Sequence, residues 1–166
     1  AESAGRLEFG AGDQVALFSA ERSVPNSFLR VHFIGDNIML TGSCLCGGVK
    51  YQIDGKIRAL TNCHCSLCRK MSGSAFASGA AIPAAAFRFT AGQELLKEWQ
   101  SSPGNHRVFC GRCGTPLVKR KDKDPSSLRF RPGSLDSDPG VKISKHLHVS
   151  SKAPWVEIKD GLPQSG

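Results

Sequence analysis

The sequence predicts a mainly β domain stapled by bound metal, with short helical turns. Three observations predict it. Short stretches of alternating apolar and polar residues recur between Gly, Pro, Asn and Asp turn signals. No long amphipathic helix and no internal repeat interrupts them. Seven cysteines fall into three tight clusters, a density that suits metal ligation better than packing.

The elements follow in order. Val49–Ile53 alternates and stops at Asp54-Gly55, a turn signal. Ser66–Met71 reads as one helical turn with Ser66 as its cap. Ala75–Ile82 is small and apolar and is punctuated by Pro83. Phe87–Thr90 alternates and stops at Ala91-Gly92. Leu95–Gln100 and His106–Phe109 flank Ser101-Ser102-Pro103-Gly104-Asn105, a hairpin loop, with His106 at the strand end. Arg129–Arg131 and His146–Val149 are further short strands. Phe76 and Trp155 read as core residues.

Length and composition bound the answer. The chain has 166 residues, one ordinary domain, with 40% hydrophobic and 22% charged residues. That excludes a collagen-like or wholly disordered chain. No apolar run approaches the ~18–20 residues of a membrane span. Residues 1–38 show neither strand nor helix period and read as an expression-tag or upstream-derived segment, leaving residues 39–166 as the domain. The latter carry 19 Lys+Arg against 9 Asp+Glu, a formal charge of +10. No secretory signal pattern is visible, so a reducing cytoplasm is expected, where close-set thiols bind metal rather than pair.

The clusters are Cys44-Leu45-Cys46, Cys63-His64-Cys65-Ser66-Leu67-Cys68 and Cys110-Gly111-Arg112-Cys113. On an extended strand Cys44 and Cys46 share a face and can reach one ion. Cys110 and Cys113, with glycine inside and after the pair, read as a zinc knuckle. Two such pairs make the closed four-cysteine set of a structural zinc. Cys63, Cys65 and Cys68 then remain as three ligands, the pattern of a catalytic zinc with one position open. His64 lies between two of them and is expected to point to the opposite face. Arg69 and Lys70 follow directly and place positive charge beside the thiols.

These motifs resemble the family of glutathione-dependent formaldehyde-activating enzymes, which includes centromere protein V. The resemblance rests on Gly42–Tyr51, on Cys63–Lys70 with Ser72, Gly73 and Phe76, on Phe109–Thr115, and on Lys145–Trp155, in that order. It implies a β-tent fold of small antiparallel sheets, also found in a small Rab-binding exchange accelerator. It assigns Cys44, Cys46, Cys110 and Cys113 to a structural zinc and Cys63, Cys65 and Cys68 to a catalytic one, two zinc ions per chain. Arg69, Lys70, Ser72 and Gly73 are expected at the substrate.

The implied activity is that of a carbon–sulfur lyase: addition of glutathione to formaldehyde to give S-hydroxymethylglutathione, or a related thiol–aldehyde reaction. A free thiol with pKa ~8.5 is only partly ionised at neutral pH, and a coordinating thiol loses its proton. The basic charge suits an anionic thiol. The alternative is a non-catalytic zinc module binding nucleic acid, chromatin or a protein partner. Lys119-Arg120-Lys121 with Lys123 is the densest basic run, and Asp122, Asp124 and Pro125 mark it as a solvated loop. It lacks the interleaved aromatics of a single-strand binder, which argues against nucleic acid. A homo-oligomer is compatible with the sequence. His146 and His148 are expected to share a strand face as core or surface residues, and nothing makes Glu94 and Glu98 an acid/base pair.

Overall fold

The computed structural model describes residues 33–34 and 37–166. Most of the segment 1–38 singled out above therefore lies outside the described residues. The described chain is mainly β, with twelve strands, one α-helix and four short 3-10 turns.

The strands are β1 (Phe33–Ile34), β2 (Asn37–Ser43), β3 (Lys50–Asp54), β4 (Leu60–Cys63), β5 (Ala77–Pro83) and β6 (Phe87–Ala91). They continue with β7 (Leu96–Ser102), β8 (Asn105–Cys110), β9 (Pro116–Lys121), β10 (Asp124–Phe130), β11 (Ile143–Leu147) and β12 (Gln164–Ser165). Helix α1 spans Ser66–Ser72. One sheet runs β1-β2-β3-β6 and the other β12-β11-β4-β5-β10-β9-β8-β7. Pairing is antiparallel except at β4-β11 and β11-β12. Those two parallel ladders close the long return from β10 and lay the C-terminal segment beside the Cys63 strand.

The core joins the two sheets. Leu40, Tyr51 and Ile53 of the small sheet pack with Ala80, Ile82, Leu117, Val118 and Phe130 of the large one. Tyr51 stacks on Phe87 at 5.0 Å, and its hydroxyl meets Ser134 Oγ at 2.8 Å. Burial pushes the Tyr51 phenol up to about 12. Gly42 is required here by close approach: a Cβ on it would lie 2.1 Å from Tyr51 Cζ and 2.6 Å from the Ser134 carbonyl oxygen.

Most expected strands form, with shifted ends. Asp54-Gly55 does terminate β3, and Gly55 takes φ 96°. The hairpin of β7 and β8 turns at Pro103-Gly104. Four readings are corrected. Ser66 is not the helix cap; Cys65 occupies the N-cap with extended backbone and makes no side-chain cap bond. Cys44 and Cys46 lie in a turn after β2 rather than on a strand, with Gly47 N–H bonded to Cys44 O at 2.8 Å. The basic run is no loop, because Lys119, Arg120 and Lys121 end β9, paired on both sides by β8 and β10. Turn-forming residues that follow the run gave it a loop signature, and the two ladders override it. Trp155, expected in the core, is 73% exposed.

Candidate functional site

The four-cysteine set assembles from two distant turns. The turn after β2 presents Cys44 and Cys46, while Cys110 ends β8 and Cys113 lies in the turn that follows. Their four sulfurs lie within 4.8 Å of one another. Sγ–Sγ separations are 3.4 Å for Cys44–Cys46 and 3.9 Å for Cys46–Cys110. A tetrahedral zinc with Zn–S bonds of about 2.3 Å puts its sulfurs about 3.8 Å apart. All seven cysteines are free thiols, so the donors fit a metal and not a disulfide. Two of these sulfurs have donors at hand: Val49 N–H donates to Cys44 Sγ at 3.2 Å, and Cys113 lies 3.2 Å from Thr115 Oγ1. That Thr115 contact, first among the causes, brings the Cys113 thiol down to about 5.

The second set gathers Cys63 from the end of β4, Cys65 from the N-cap of α1 and Cys68 from inside that helix. Their sulfurs also lie within 4.8 Å of one another. Cys68 is held well below the ordinary thiol range, first by its hydrogen bond with Cys63, then by Cys65 and by the charges of Arg131 and Arg107. The same bond pushes Cys63 up. His64 is fully buried and does not join the three-sulfur group. Its Nε2 lies 2.8 Å from His146 Nδ1, whose Nε2 lies 2.9 Å from Asp160 Oδ2. Phe76 packs on the His64 ring at 5.3 Å.

A cleft of about 260 Å³ opens beside Cys63 and Cys68. Lys119, Lys121, Arg129, Arg131 and His148 line it. Register explains this convergence. Directly opposed residues on paired strands project from the same face. Trp99 opposes Arg107, Arg107 opposes Lys119, Lys119 opposes Arg129, and Arg129 opposes Ala81. One row across five strands thus carries three cations on the face opposite Phe130 and Val118, which point into the core. Gly79 lets Arg129 lie across β5, since a Cβ there would meet Arg129 Nε at 2.6 Å. Arg129 Nη2 then donates to Gly79 O at 3.0 Å and to Thr61 Oγ1, and Arg131 Nη1 donates to Ser78 O at 3.2 Å. Burial, first, and the charges of Arg107 and Lys121 depress the Lys119 ammonium.

His146 and His148 do not share a face. His146 is buried against His64, whereas His148 has φ 56° and ψ 45°, the left-handed region. That turn breaks the strand alternation and brings His148 to the cleft. The residues expected at the substrate lie on and just after α1. Arg69 and Lys70 occupy the last turn of α1, with Lys70 exposed. Ser72 Oγ lies 2.9 Å from Cys68 O and 3.0 Å from Phe76 O, with one hydroxyl proton between the two acceptors. Gly73 is the left-handed C-cap. None of these four is among the residues lining the cleft. Sequence reasoning did not bring Arg129 and Arg131 beside Cys63 and Cys68. The available signal was Arg129-Phe130-Arg131, an alternation whose apolar member is the core residue.

Fold and site together define a class: a small β protein with a four-cysteine set and a three-cysteine set that could each hold a metal ion, the latter at a basic cleft. Residues 39–151 match the model of the glutathione-dependent formaldehyde-activating enzyme family, and the chain belongs to that family. A protein of Halomonas elongata named a putative glutathione-dependent formaldehyde-activating enzyme is 32% identical over 133 residues, covering 74% of this chain and 82% of its own. A crystal structure of a Rhodobacter sphaeroides protein shares the fold at TM-score 0.51 and 22% identity, over 59% of this chain and 89% of that one. Among the described residues no helix is long and apolar enough to cross a membrane.

Proposed function

We propose that the three-cysteine centre activates the thiol of glutathione for addition to formaldehyde, giving S-hydroxymethylglutathione, a carbon–sulfur lyase reaction run in its synthetic direction. The observation that carries this reading is the meeting of Cys63, Cys65 and Cys68, with no fourth His, Cys, Asp or Glu beside them among the described residues, at a cleft walled by cations. When bound at these residues, zinc supplies a fourth coordination position and lowers the pKa of a thiol that takes it. Cys44, Cys46, Cys110 and Cys113 would hold a second, structural zinc.

The chain's own residues recognise and orient the ligand. Glutathione carries two carboxylates. Arg129 and Arg131 are pinned by carbonyl oxygens, so their guanidinium planes are set before an anion arrives. Lys119 and Lys121 add charge from β9. In the reaction the thiolate sulfur bonds to the formaldehyde carbon, the carbonyl π pair moves to oxygen, and the proton lost by the thiol ends on that oxygen. His148, in the same cleft, is placed to pass that proton. The cations are sunk beside Cys68, with Arg107 and Arg131 buried, which favours a small anion over a nucleic-acid backbone. We read residues 39–166 as the working unit and the reducing cytoplasm as its compartment.

The test is the exchange rate between free glutathione and its formaldehyde adduct, measured by two-dimensional exchange NMR with the metal-loaded chain. Exchange accelerates in proportion to protein, Cys65→Ser abolishes the acceleration, and Lys121→Ala weakens glutathione binding several-fold at low salt. Exchange no faster than in buffer, with both clusters metallated, sinks the reading.

A further inference from the structure

A second hollow, of about 340 Å³, lies on the other side of Arg107 from the cations of the cleft. Met71, Trp99, Arg107, Phe109 and Pro116 are among its walls. It shares no lining residue with the cleft beside Cys63 and Cys68. The size falls at the small-molecule end of ligand pockets, about 300–1,000 Å³.

Arg107 is the anomaly in it. The residue is 5% exposed, and its Nε and Nη1 are buried without a hydrogen-bond partner. Among the described residues it also has no carboxylate partner. Arg129 and Arg131, its neighbours, rest on carbonyl oxygens; Arg107 does not. The three thiolates do not offset it either. With a divalent ion they carry one net negative charge, facing Arg107, Arg129, Arg131 and Lys119 together. A buried guanidinium without an acceptor is costly, and an anion relieves that cost.

The apolar part of the hollow sets the rest of the ligand. Trp99 opposes Arg107 across the β7-β8 ladder, so both project from one face, and yet Trp99 remains 68% exposed. An indole standing beside a buried cation offers a flat surface to a planar body whose acidic end meets the cation. Met71 supplies an adaptable part of the wall.

We propose that this hollow is a binding site for a small carboxylate with a flat apolar body, separate from the thiol cleft. It does not depend on the thiol–aldehyde reading. The chain holds only two methionines, Met39 on β2 and Met71 in the hollow. Methyl-13C-methionine spectra of the metal-loaded full chain therefore report the site and carry their own control. Phenylacetate shifts the Met71 methyl saturably and leaves Met39 in place. It also quenches Trp99 fluorescence in a Trp155→Phe background. Phenylacetamide, the same shape without the charge, binds at least roughly tenfold more weakly, as charge-assisted recognition requires. Arg107→Gln removes the discrimination between the two. Equal binding of acid and amide by the unsubstituted chain overturns the proposal, as does a Met71 signal that phenylacetate does not move. The acid–amide comparison needs no substitution, so it stands even if Arg107→Gln fails to fold.

Discussion

His64 Nε2 and His146 Nδ1 lie 2.8 Å apart, although 82 residues separate them in the chain. Asp160 Oδ2 continues the string 2.9 Å from His146 Nε2. With both rings neutral, only one proton order satisfies it. The carboxylate accepts from His146 Nε2–H, and His146 Nδ1 accepts from His64 Nε2–H. His64 Nε2 is thereby committed to His146, and His64 does not join the three sulfurs. His146→Ala removes the acceptor and opens a buried gap. A loss of about 2–4 kcal/mol is expected in urea unfolding. Chelator should also strip metal faster from the three-cysteine set, while the four-cysteine set holds. Equal acceleration at both would show that the string acts on the fold as a whole.

The two cysteine sets are expected to separate in their effects. Cys110 is fully buried and ties the turn after β8 to that after β2, closing a loop of 64 residues. Cys110→Ser should lower the melting temperature by at least about 10 °C, because structural metal binding contributes directly to folding. Cys65, half-buried at the helix N-cap, links only local segments. Cys65→Ser should abolish thiol–aldehyde turnover with a much smaller change in melting. Calorimetry of both variants beside the exchange assay decides it.

The β7-β8-β9 hairpins carry a pH-dependent contribution. Arg120 donates to Glu98 at 2.7 and 2.8 Å and to Asp122 at 3.1 Å, while His106 bridges the same two carboxylates. The Arg120 hydrogen bonds, first, hold the Glu98 carboxyl below its ordinary value, and the His106 bond, first, does the same for Asp122. Both pKa values are depressed on folding, so the unfolded chain takes up these protons at the higher pH. The contribution is full above the unfolded values of about 4 and fades as pH falls through the folded ones. Arg120→Ala should therefore cost more stability at pH 6 than at pH 2.5 in urea melts. A penalty that grows on acidification contradicts this assignment.

Gly42 tests the core. It sits on β2 under the Tyr51 ring and against Ser134. Gly42→Ala should destabilise by about 1–3 kcal/mol, since backbone at 2.6 Å cannot yield as a side-chain tip can. Tyr51→Phe, which deletes only the hydroxyl bonded to Ser134, should cost less, about 1 kcal/mol. Comparable costs would locate the strain elsewhere.

The cysteine spacings alone set out two pairs and one triple of candidate ligands, because sequence-close thiols can reach one ion, but which pairs meet was left to the fold. Local alternation with turn chemistry likewise determined β3, β6, β7 and β8. The identity of the cleft was decided only by tertiary structure. Lys119 and Arg129 come from two strands and meet through cross-strand register, which no local pattern encodes. Alternation on a charged strand shows that two faces differ, but not whether the polar face meets water or a site. The His64–His146–Asp160 string has the same origin: a parallel ladder between β4 and β11 sets His146 opposite Asn62, two residues before His64. Pairings of that range follow from how the whole chain packs, and only the folded sheet reveals them.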